Sequence, residues 1–202
     1  MRLVAVSQRV EIVPNYGERR DALDQRWPAF LAECGLLAVP VPNHPAAPAA
    51  LFAALPLAGV LLTGGNDLAA YGGDAPERDE TESRLLDEAE RRGLPALGVC
   101  RGMQMILHRA GAILHPVSGH VTTGHPIRRD GAPAIVNSYH CWGATRAVPD
   151  LAVVATAEDG VIEAVRHRRR PVFGMMWHPE RDPDGHDRDF IAAWFKTSEV
   201  ET

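Results

Sequence analysis

Lysine is nearly absent from this sequence, and it has no long apolar run. Lys196 is the only lysine among 202 residues, so arginine carries almost all the positive charge, which suits recognition of phosphate and carboxylate groups. The formal net charge of −5 gives no general attraction to nucleic acid. No apolar run approaches the ~20 residues of a membrane helix, and the first residues become polar too early for a signal peptide. We therefore expect a cytoplasmic protein without nucleic-acid or membrane partners.

Cysteine is scarce as well. Cys34, Cys100 and Cys141 are widely spaced and form no Cys-x-x-Cys pair, so neither a disulfide framework nor a zinc site is expected. The hydrophobic share of 46% and the charged share of 23% are ordinary for a globular protein. The length predicts a single domain, residues 1–202, with a complete core. An enzyme with one special cysteine fits these features.

Strand-like and helix-like segments alternate in the first half of the chain, and strands dominate the second half. The predicted strands are Leu3–Val6, Leu36–Val39, Gly59–Leu62, Leu94–Val99, Ile135–Asn137, Leu151–Thr156, Val161–Val165 and Val172–Met176, and the predicted helices are Glu18–Cys34, Glu80–Arg92, Met103–Ala110 and His186–Lys196. Pro40–Ala50 is predicted to be a loop leading into a small helix. Several strands are apolar throughout, which is typical of a sheet covered on both faces. We expect an α/β fold: a mainly parallel sheet flanked by helices, with a small antiparallel addition and ligands beyond the carboxyl ends of the strands.

The segment Gly98–Gly102 places a cysteine at a sharp turn between a strand and a helix. Such a nucleophile elbow lifts the Cys100 side chain above the sheet, and the flanking glycines let the backbones approach closely. Free N–H groups at the helix N-terminus favour the reactive thiolate, and the N–H of Arg101 would face an oxyanion formed at the attacked carbon. A buried cysteine that only fills space is the alternative, and the two glycines favour the nucleophile.

Two further segments follow strands with residues suited to the same chemistry. Gly64 and Gly65 expose backbone N–H groups that could supply a second oxyanion donor, although a plain turn is the commoner meaning of such a pair. His178 and Glu180 are two residues apart, so in an extended segment they face the same side and the carboxylate can orient the imidazole. This pair would supply the base and its orienting group, and a surface turn is the alternative.

Two motifs are specific in combination: Gly98-Val99-Cys100-Arg101-Gly102-Met103-Gln104 and His178-Pro179-Glu180. Together with the earlier Gly-Gly turn they resemble the class I glutamine amidotransferase-like family, which has a flavodoxin-like fold, and the resemblance covers nearly the whole chain. It implies a triad of Cys100, His178 and Glu180. It also implies oxyanion donors at Gly65 and Arg101 and substrate contacts at Gly64, Gln104, Ser138, Tyr139 and His140, the last three in a Ser-x-His segment. No metal or redox cofactor is implied.

The same family implies the reaction. A cysteine thiolate attacks the γ-carbonyl of a γ-glutamyl amide, and water releases glutamate from a γ-glutamyl thioester. Some members are glutaminase subunits that pass ammonia to a synthetase, some hydrolyse γ-glutamyl-amines, and a short freestanding group hydrolyses γ-glutamyl-CDP-amidate in making the phosphoramidate of capsular polysaccharides. This chain resembles the last group in its length and in the segments Val6–Arg9, Arg19–Asp24, Thr63–Leu68 and Arg78–Glu82. A γ-glutamyl-CDP-amidate hydrolase is therefore expected. A γ-glutamyl-amine hydrolase, a non-catalytic module on the same fold and a glutaminase subunit stay as alternatives.

Four arginines, Arg9, Arg19, Arg20 and Arg26, lie near the end of the first strand and the predicted first helix. A nucleotide diphosphate leaving group needs cationic partners, so we expect Arg9 and Arg19 to bind a small, nucleotide-linked γ-glutamyl substrate. Solvated surface arginines are the alternative. The sequence is also compatible with a homo-oligomer.

The remaining clusters of titratable residues have a plainer interpretation. His115, His120 and His125 are five residues apart in a glycine-rich segment, and no acidic or thiol partner has a suitable spacing for a metal site. We expect them to be solvated loop histidines. The run Arg166–Arg170 could bind phosphate, but a charged hairpin tip is expected.

Overall fold

The computed structural model describes residues 1–196, which form a nine-stranded sheet with helices on both faces. The strands are β1 (Arg2–Ser7), β2 (Arg9–Val13), β3 (Glu18–Ala22), β4 (Leu36–Val41), β5 (Leu57–Leu62), β6 (Ala96–Val99), β7 (His115–Pro116), β8 (Val121–Arg129), β9 (Ala132–Tyr139), β10 (Trp142–Gly143), β11 (Leu151–Ala157), β12 (Ile162–His167) and β13 (Val172–Met175). The helices are α1 (Arg26–Glu33), α2 (Ala47–Ala54), α3 (Pro76–Arg91), α4 (Arg101–Arg109) and α5 (Arg188–Trp194). Residues 197–202 of the predicted single domain lie outside the described residues.

The main sheet has a parallel half and an antiparallel half. Its strand order is β4-β1-β5-β6-β13-β12-β11-β8-β9. The pairs from β4 to β13 are parallel, and the pairs from β13 to β9 are antiparallel. The predicted α/β class is confirmed, and the antiparallel addition is larger than expected because β8, with the sequence VTTGHPIRR, has no apolar run and β9 is longer than the predicted strand Ile135–Asn137.

Burial on both faces explains why the central strands are apolar throughout. Val60 and Leu62 of β5 belong to a core cluster that also contains side chains of α2, α3 and α4, whereas Leu61 between them belongs to a second cluster with α1 and α5. Trp27 of α1 and Phe195 after α5 are among the largest members of the second cluster. Within residues 1–196 no helix is both long enough and apolar enough to cross a membrane.

The predicted helix Glu18–Cys34 is wrong in its first part. Residues Glu18–Ala22 form β3, which pairs with β2 in a separate antiparallel hairpin. Gly17, with a φ of +62°, closes the hairpin, because its N–H donates to the carbonyl oxygen of Val13 at 3.0 Å. An apolar face begins only with Trp27, so the helix starts at Arg26. The hairpin places Arg9 beside the Gly-Gly turn: a Cβ added to Gly65 would lie 2.9 Å from Cδ of Arg9.

The prediction of solvated loop histidines is also wrong. His115 lies in β7 and is partly buried. His120 and His125 are 2% and 7% exposed, and His125 lies in β8 rather than in a loop. Both rings lie within 3.3 Å of the Glu163 carboxylate on β12, so they are packed inside the protein and not solvated. Two loop predictions are confirmed: Pro40–Ala50 leads into α2, and Arg166–Arg170 spans the turn between β12 and β13.

Candidate active site

The carboxyl ends of the central parallel strands meet at one edge of the sheet. Thr63 and the Gly64–Gly65 turn follow β5, Cys100 follows β6, and His178 lies three residues after β13. Parallel sheets bind ligands at this edge because loops from neighbouring strands converge there. The fold therefore assembles residues that are more than 100 positions apart in the chain into one site.

Cys100 lies on a strained turn between β6 and α4. Its φ of +53° is unusual for a residue with a Cβ, and its N–H donates to the carbonyl oxygen of Met175 at 2.8 Å. The turn is close-packed: a Cβ on Gly98 would lie 2.5 Å from the carbonyl oxygen of Gly102, and a Cβ on Gly102 would lie 2.3 Å from that of Leu62. The two glycines are thus required for the geometry that presents the sulfur at the start of α4.

His178 contacts both of the groups with which the sequence pairs it. Its ring lies beside Cys100, since a Cβ added to Gly64 would be 3.3 Å from Nε2 of the ring and 3.5 Å from Cβ of Cys100, and its Nδ1–H donates to Oε1 of Glu180 at 2.6 Å. The structure reaches this contact differently from the prediction, since Glu180 lies in a 3₁₀ turn, Pro179–Arg181, and not in an extended segment. The turn folds the carboxylate back under the imidazole, and all three side chains are buried.

The environment of His178 favours its charged form. Burial alone would lower the pKa of the imidazole, but the neighbouring Cys100 and Glu180 side chains favour the charged ring, outweigh the effect of burial and raise the pKa to about 9. A histidine with this pKa holds a proton at neutral pH beside the sulfur. The arrangement can therefore deliver a proton to an atom bound near Cys100.

Asn137 fixes the backbone on which His178 lies. Its side-chain amide donates to the carbonyl oxygen of His178 at 2.9 Å and accepts from the His178 N–H at 2.8 Å. The ring of Tyr139 packs edge-on against the imidazole with centroids 5.5 Å apart. The antiparallel strand β9 thus positions a histidine that follows β13.

Arg78 holds the Gly-Gly turn from its inner side. Its fully buried guanidinium donates to the carbonyl oxygens of Thr63 at 2.7 Å and Gly64 at 3.1 Å, and also to that of Gly65. In a trans peptide the N–H points opposite to the C=O of the same unit, so the N–H of Gly65 is directed away from Arg78. On its other side the turn packs against His178, because a Cβ on Gly64 would lie 2.7 Å from Cε1 of the ring.

A buried ion network connects this turn to the elbow. Glu82 lies 2.9 Å from Arg78 and also pairs with Arg101, which contacts Asp79 as well. The Ser7 hydroxyl donates to Glu82 at 2.8 Å. Burial lowers the pKa of Arg78 to about 10 even though Glu82 opposes the shift, so the guanidinium stays charged at neutral pH. The Glu82 carboxylate thereby connects the Gly-Gly turn, through Arg78, with Arg101 at the start of α4, and these are the two segments in which the sequence predicts oxyanion donors.

Cys100 lies between two cavities that also share Gly65 and Tyr139. The first, of about 570 Å³, we call the Gln104 cavity; its other lining residues are Asn66, Asp67, Gly72, Gly73, Asp74, Arg101, Gln104, His140 and Cys141. The second, of about 150 Å³, we call the Arg9 cavity; its other lining residues are Arg9, Ala22, Leu23, Asp24, Trp27, Thr63, Gly64, His178, Glu180 and Arg181. A substrate bound at the sulfur can therefore extend in two directions.

Two predicted substrate contacts lie away from both cavities. Ser138 is fully buried, and its hydroxyl donates to the carbonyl oxygen of His120 at 2.6 Å. Arg19 is on β3, where it pairs with Glu77 and donates to the carbonyl oxygen of Asp74 at 2.8 Å. Because the residues around Arg19 form a hairpin and not the predicted helix, the Arg19 side chain lies against Glu77 at the start of α3. The other predicted contacts line one or both cavities.

The roles of Arg181 and Arg78 were not predicted from the sequence. Arg181 lines the Arg9 cavity, and its guanidinium lies 4.9 Å from the ring centroid of Tyr139. Its position directly after Glu180 is the sequence feature that could have indicated its place at the site. For Arg78, the signal was its i,i+4 spacing from Glu82 on α3.

Residues 29–197 match the model of the class-I glutamine amidotransferase family, and the chain belongs to that family. A γ-glutamyl-CDP-amidate hydrolase from Campylobacter jejuni is 29% identical over 195 residues, which cover 95% of this chain and 96% of the relative. A γ-glutamyl-γ-aminobutyrate hydrolase from Escherichia coli O157:H7 is 28% identical and covers 81% of this chain and 80% of its own. A GMP synthase subunit from Thermoplasma acidophilum superposes with a TM-score of 0.75 at 18% identity, covering 97% of this chain and 93% of that one. The predicted fold family is confirmed.

Proposed function

We propose that this chain is a cysteine-dependent γ-glutamyl hydrolase whose substrate is γ-glutamyl-CDP-amidate, an intermediate in making capsular phosphoramidate. The observation that carries the proposal is the position of Cys100 beside His178, whose ring is hydrogen bonded to Glu180, at the junction of two cavities. The Campylobacter jejuni relative, which matches over nearly its whole length, supports the choice of substrate.

In the first step the Cys100 thiolate attacks the γ-carbonyl carbon, and the carbonyl electrons move to the oxygen. The N–H groups of Gly65 and Arg101 donate to this oxyanion, and loss of one such donor costs about 10²–10³ in rate. As the carbon–nitrogen bond breaks, the protonated His178 transfers its proton to the leaving nitrogen. A γ-glutamyl thioester on Cys100 and a neutral imidazole remain.

In the second step water hydrolyses the thioester. His178 takes a proton from the water as its oxygen bonds to the acyl carbon, and the carbon–sulfur bond then breaks to release glutamate and the thiolate. Glu180 holds the ring through Nδ1 and stabilises its charged form in both steps. The proton taken from water restores the imidazolium, and the raised pKa of His178 keeps the ring protonated at neutral pH for the next turnover.

We place the glutamyl group in the Gln104 cavity. Gln104 has its amide anchored on the carbonyl oxygen of Trp142 at 3.0 Å, so its orientation is fixed before substrate binds. Asp67 and Asp74 line the same cavity and supply the negative charge that an α-ammonium group requires. The acyl half of the substrate would thus be bound in a different cavity from the one that Arg9 and Arg181 line.

We place the phosphate of the leaving group in the Arg9 cavity. Arg9 and Arg181 both line it, and guanidinium groups recognise phosphate through paired hydrogen bonds. In the part of the chain that the structure describes, the Nε of Arg9 has no hydrogen-bond partner, so Arg9 has a donor available for a ligand. A volume of about 150 Å³ suits the phosphates nearest the scissile nitrogen, with the nucleoside reaching the surface.

A panel of γ-glutamyl substrates tests the proposal: γ-glutamyl-CDP-amidate, γ-glutamyl-amines and glutamine, ranked by kcat/KM. We expect the CDP-amidate to rank first. Arg9→Ala should lower kcat/KM for it by about 10- to 100-fold, the usual value of a charge-assisted hydrogen bond, and change that for a simple γ-glutamyl amide less than twofold. The control is Arg20→Ala, since Arg20 is an exposed arginine paired with Glu18 on the same hairpin.

Other rankings would contradict the assigned substrate in different ways. Preference for γ-glutamyl-amines would make the chain resemble the Escherichia coli relative in activity as well as in sequence. Glutamine hydrolysis that rises with an added synthetase would identify an ammonia-supplying subunit. If Arg9→Ala lowered kcat/KM equally for both substrates, Arg9 would not be the residue that binds the phosphate.

A further inference from the structure

Three histidines and a glutamate form a buried cluster in the antiparallel half of the sheet. His120 directly precedes β8, His125 lies in β8, His140 directly follows β9, and Glu163 is on β12. The four residues are between 0% and 7% exposed. The ring centroid of His120 is 4.5 Å from that of His125 and 4.7 Å from that of His140. The proposed hydrolase mechanism uses none of these side chains as a catalytic group.

The histidine nitrogens converge on one carboxylate oxygen. Oε1 of Glu163 is 3.0 Å from Nδ1 of His120, 3.3 Å from Nε2 of His125 and 3.3 Å from Nε2 of His140. Ligand atoms at the corners of a tetrahedral zinc site, with bonds of ~2.0 Å, are about 3.3 Å apart. The three distances to Oε1 are close to this spacing, and the ligand atoms of His120, His125 and Glu163 all lie within 4.8 Å of one another.

Two of the imidazoles are held at their far nitrogens by acceptors. Nε2–H of His120 donates to Asp159 at 3.0 Å, and Nδ1–H of His140 donates to the carbonyl oxygen of Trp142 at 3.0 Å. Because a carboxylate and a carbonyl can only accept, a neutral ring that is held in this way directs its lone pair toward Glu163. Metal-binding histidines are oriented by outer partners of this kind.

Lone pairs that face a carboxylate repel it unless a cation lies between them. Within residues 1–196, Nε2 of His140 and Oε2 of Glu163 are both buried without a hydrogen-bond partner, so the cluster has unused ligand atoms. We propose that His120, His125, His140 and Glu163 bind one zinc ion. The ion would fasten β8, β9 and β12 together and, through His140, fix one wall of the Gln104 cavity.

Metal content and spectroscopy test the site without relying on activity. The tag-free protein is purified without chelator, dialysed against metal-free buffer and analysed by mass spectrometry for metals. We expect about one zinc per chain. Replacement by Co²⁺ should give visible d–d bands of tetrahedral intensity, and chelation should lower the melting temperature, which added Zn²⁺ should restore.

Matched variants locate the metal. Glu163→Gln and His125→Ala each remove a ligand and should weaken Zn²⁺ binding on the order of 100-fold or more. The control is His186→Ala, because Asp182, Asp184 and His186 form an exposed acidic group that could bind metal adventitiously. His125→Ala, which leaves the glutamate in place, decides the result if Glu163→Gln fails to fold.

Two results would overturn the site. One is a purified protein without zinc that also develops no Co²⁺ bands when the ion is added, which would make the cluster a protonated hydrogen-bond network. The other is metal that is lost in His186→Ala and retained in His125→Ala, which would assign it to the exposed group.

Discussion

Replacing Gly64 by alanine probes the proposed catalytic contact through packing alone. The new methyl group would lie 2.7 Å from Cε1 of His178 and 3.5 Å from Cβ of Cys100. Ordinary contact begins at 3.4 Å, so the ring or the turn must move by about 0.7 Å. Because a misplacement of ~1 Å costs on the order of 100-fold in rate, we expect kcat to fall by about 10- to 100-fold.

The assay is steady-state hydrolysis, with circular dichroism and thermal melting to show that the variant folds. Gly64 has no positive φ, so alanine adds no backbone strain and the loss should appear mainly in kcat. Gly124→Ala is the matched control, because its methyl group would meet only the Ile135 side chain at 3.9 Å. A Gly64→Ala protein with the full kcat would show that the contact between the turn and His178 has no part in the chemistry.

Three further results are expected. Glu180→Gln removes a charge that helps raise the pKa of His178 to about 9. Activity is lost as this imidazole deprotonates, so the alkaline limb of a pH profile of kcat/KM should begin at a lower pH in the variant. Arg78→Met should cost about 3 kcal/mol in chemical denaturation and about 100-fold in kcat, because Glu82 loses a buried partner and the Gly-Gly turn its support. Iodoacetamide, followed by peptide mapping, should modify Cys100 before Cys34, since burial raises the pKa of Cys34 to about 11; a faster reaction at Cys34 would contradict this order.

Features that are formed by residues adjacent in the sequence could be predicted from the sequence. The elbow at Cys100 needs only a strand, two glycines and a helix in succession, and these are adjacent in the sequence. The apolar runs of β5 and β6 likewise predict strands that are covered on both faces. The fold class and the edge at which the cysteine lies were therefore predictable.

Features that depend on distant partners were not predictable in the same way. Glu163 is 43 residues after His120, so the histidine spacing alone showed no acidic partner. Asn137 contacts His178 across 41 residues, and only the arrangement of β9 beside the site brings them together. The hairpin of β2 and β3 escaped prediction because its exposed, charged strand lacks an apolar alternation.

Mass spectrometry of the acid-quenched enzyme during turnover is the most direct measurement of the proposed chemistry. We predict a mass increase of one glutamyl group on the peptide that contains Cys100, absent in Cys100→Ser and removed by hydroxylamine. A glutamyl adduct on another peptide, or a Cys100→Ser protein that turns over substrate at the full rate, would contradict it.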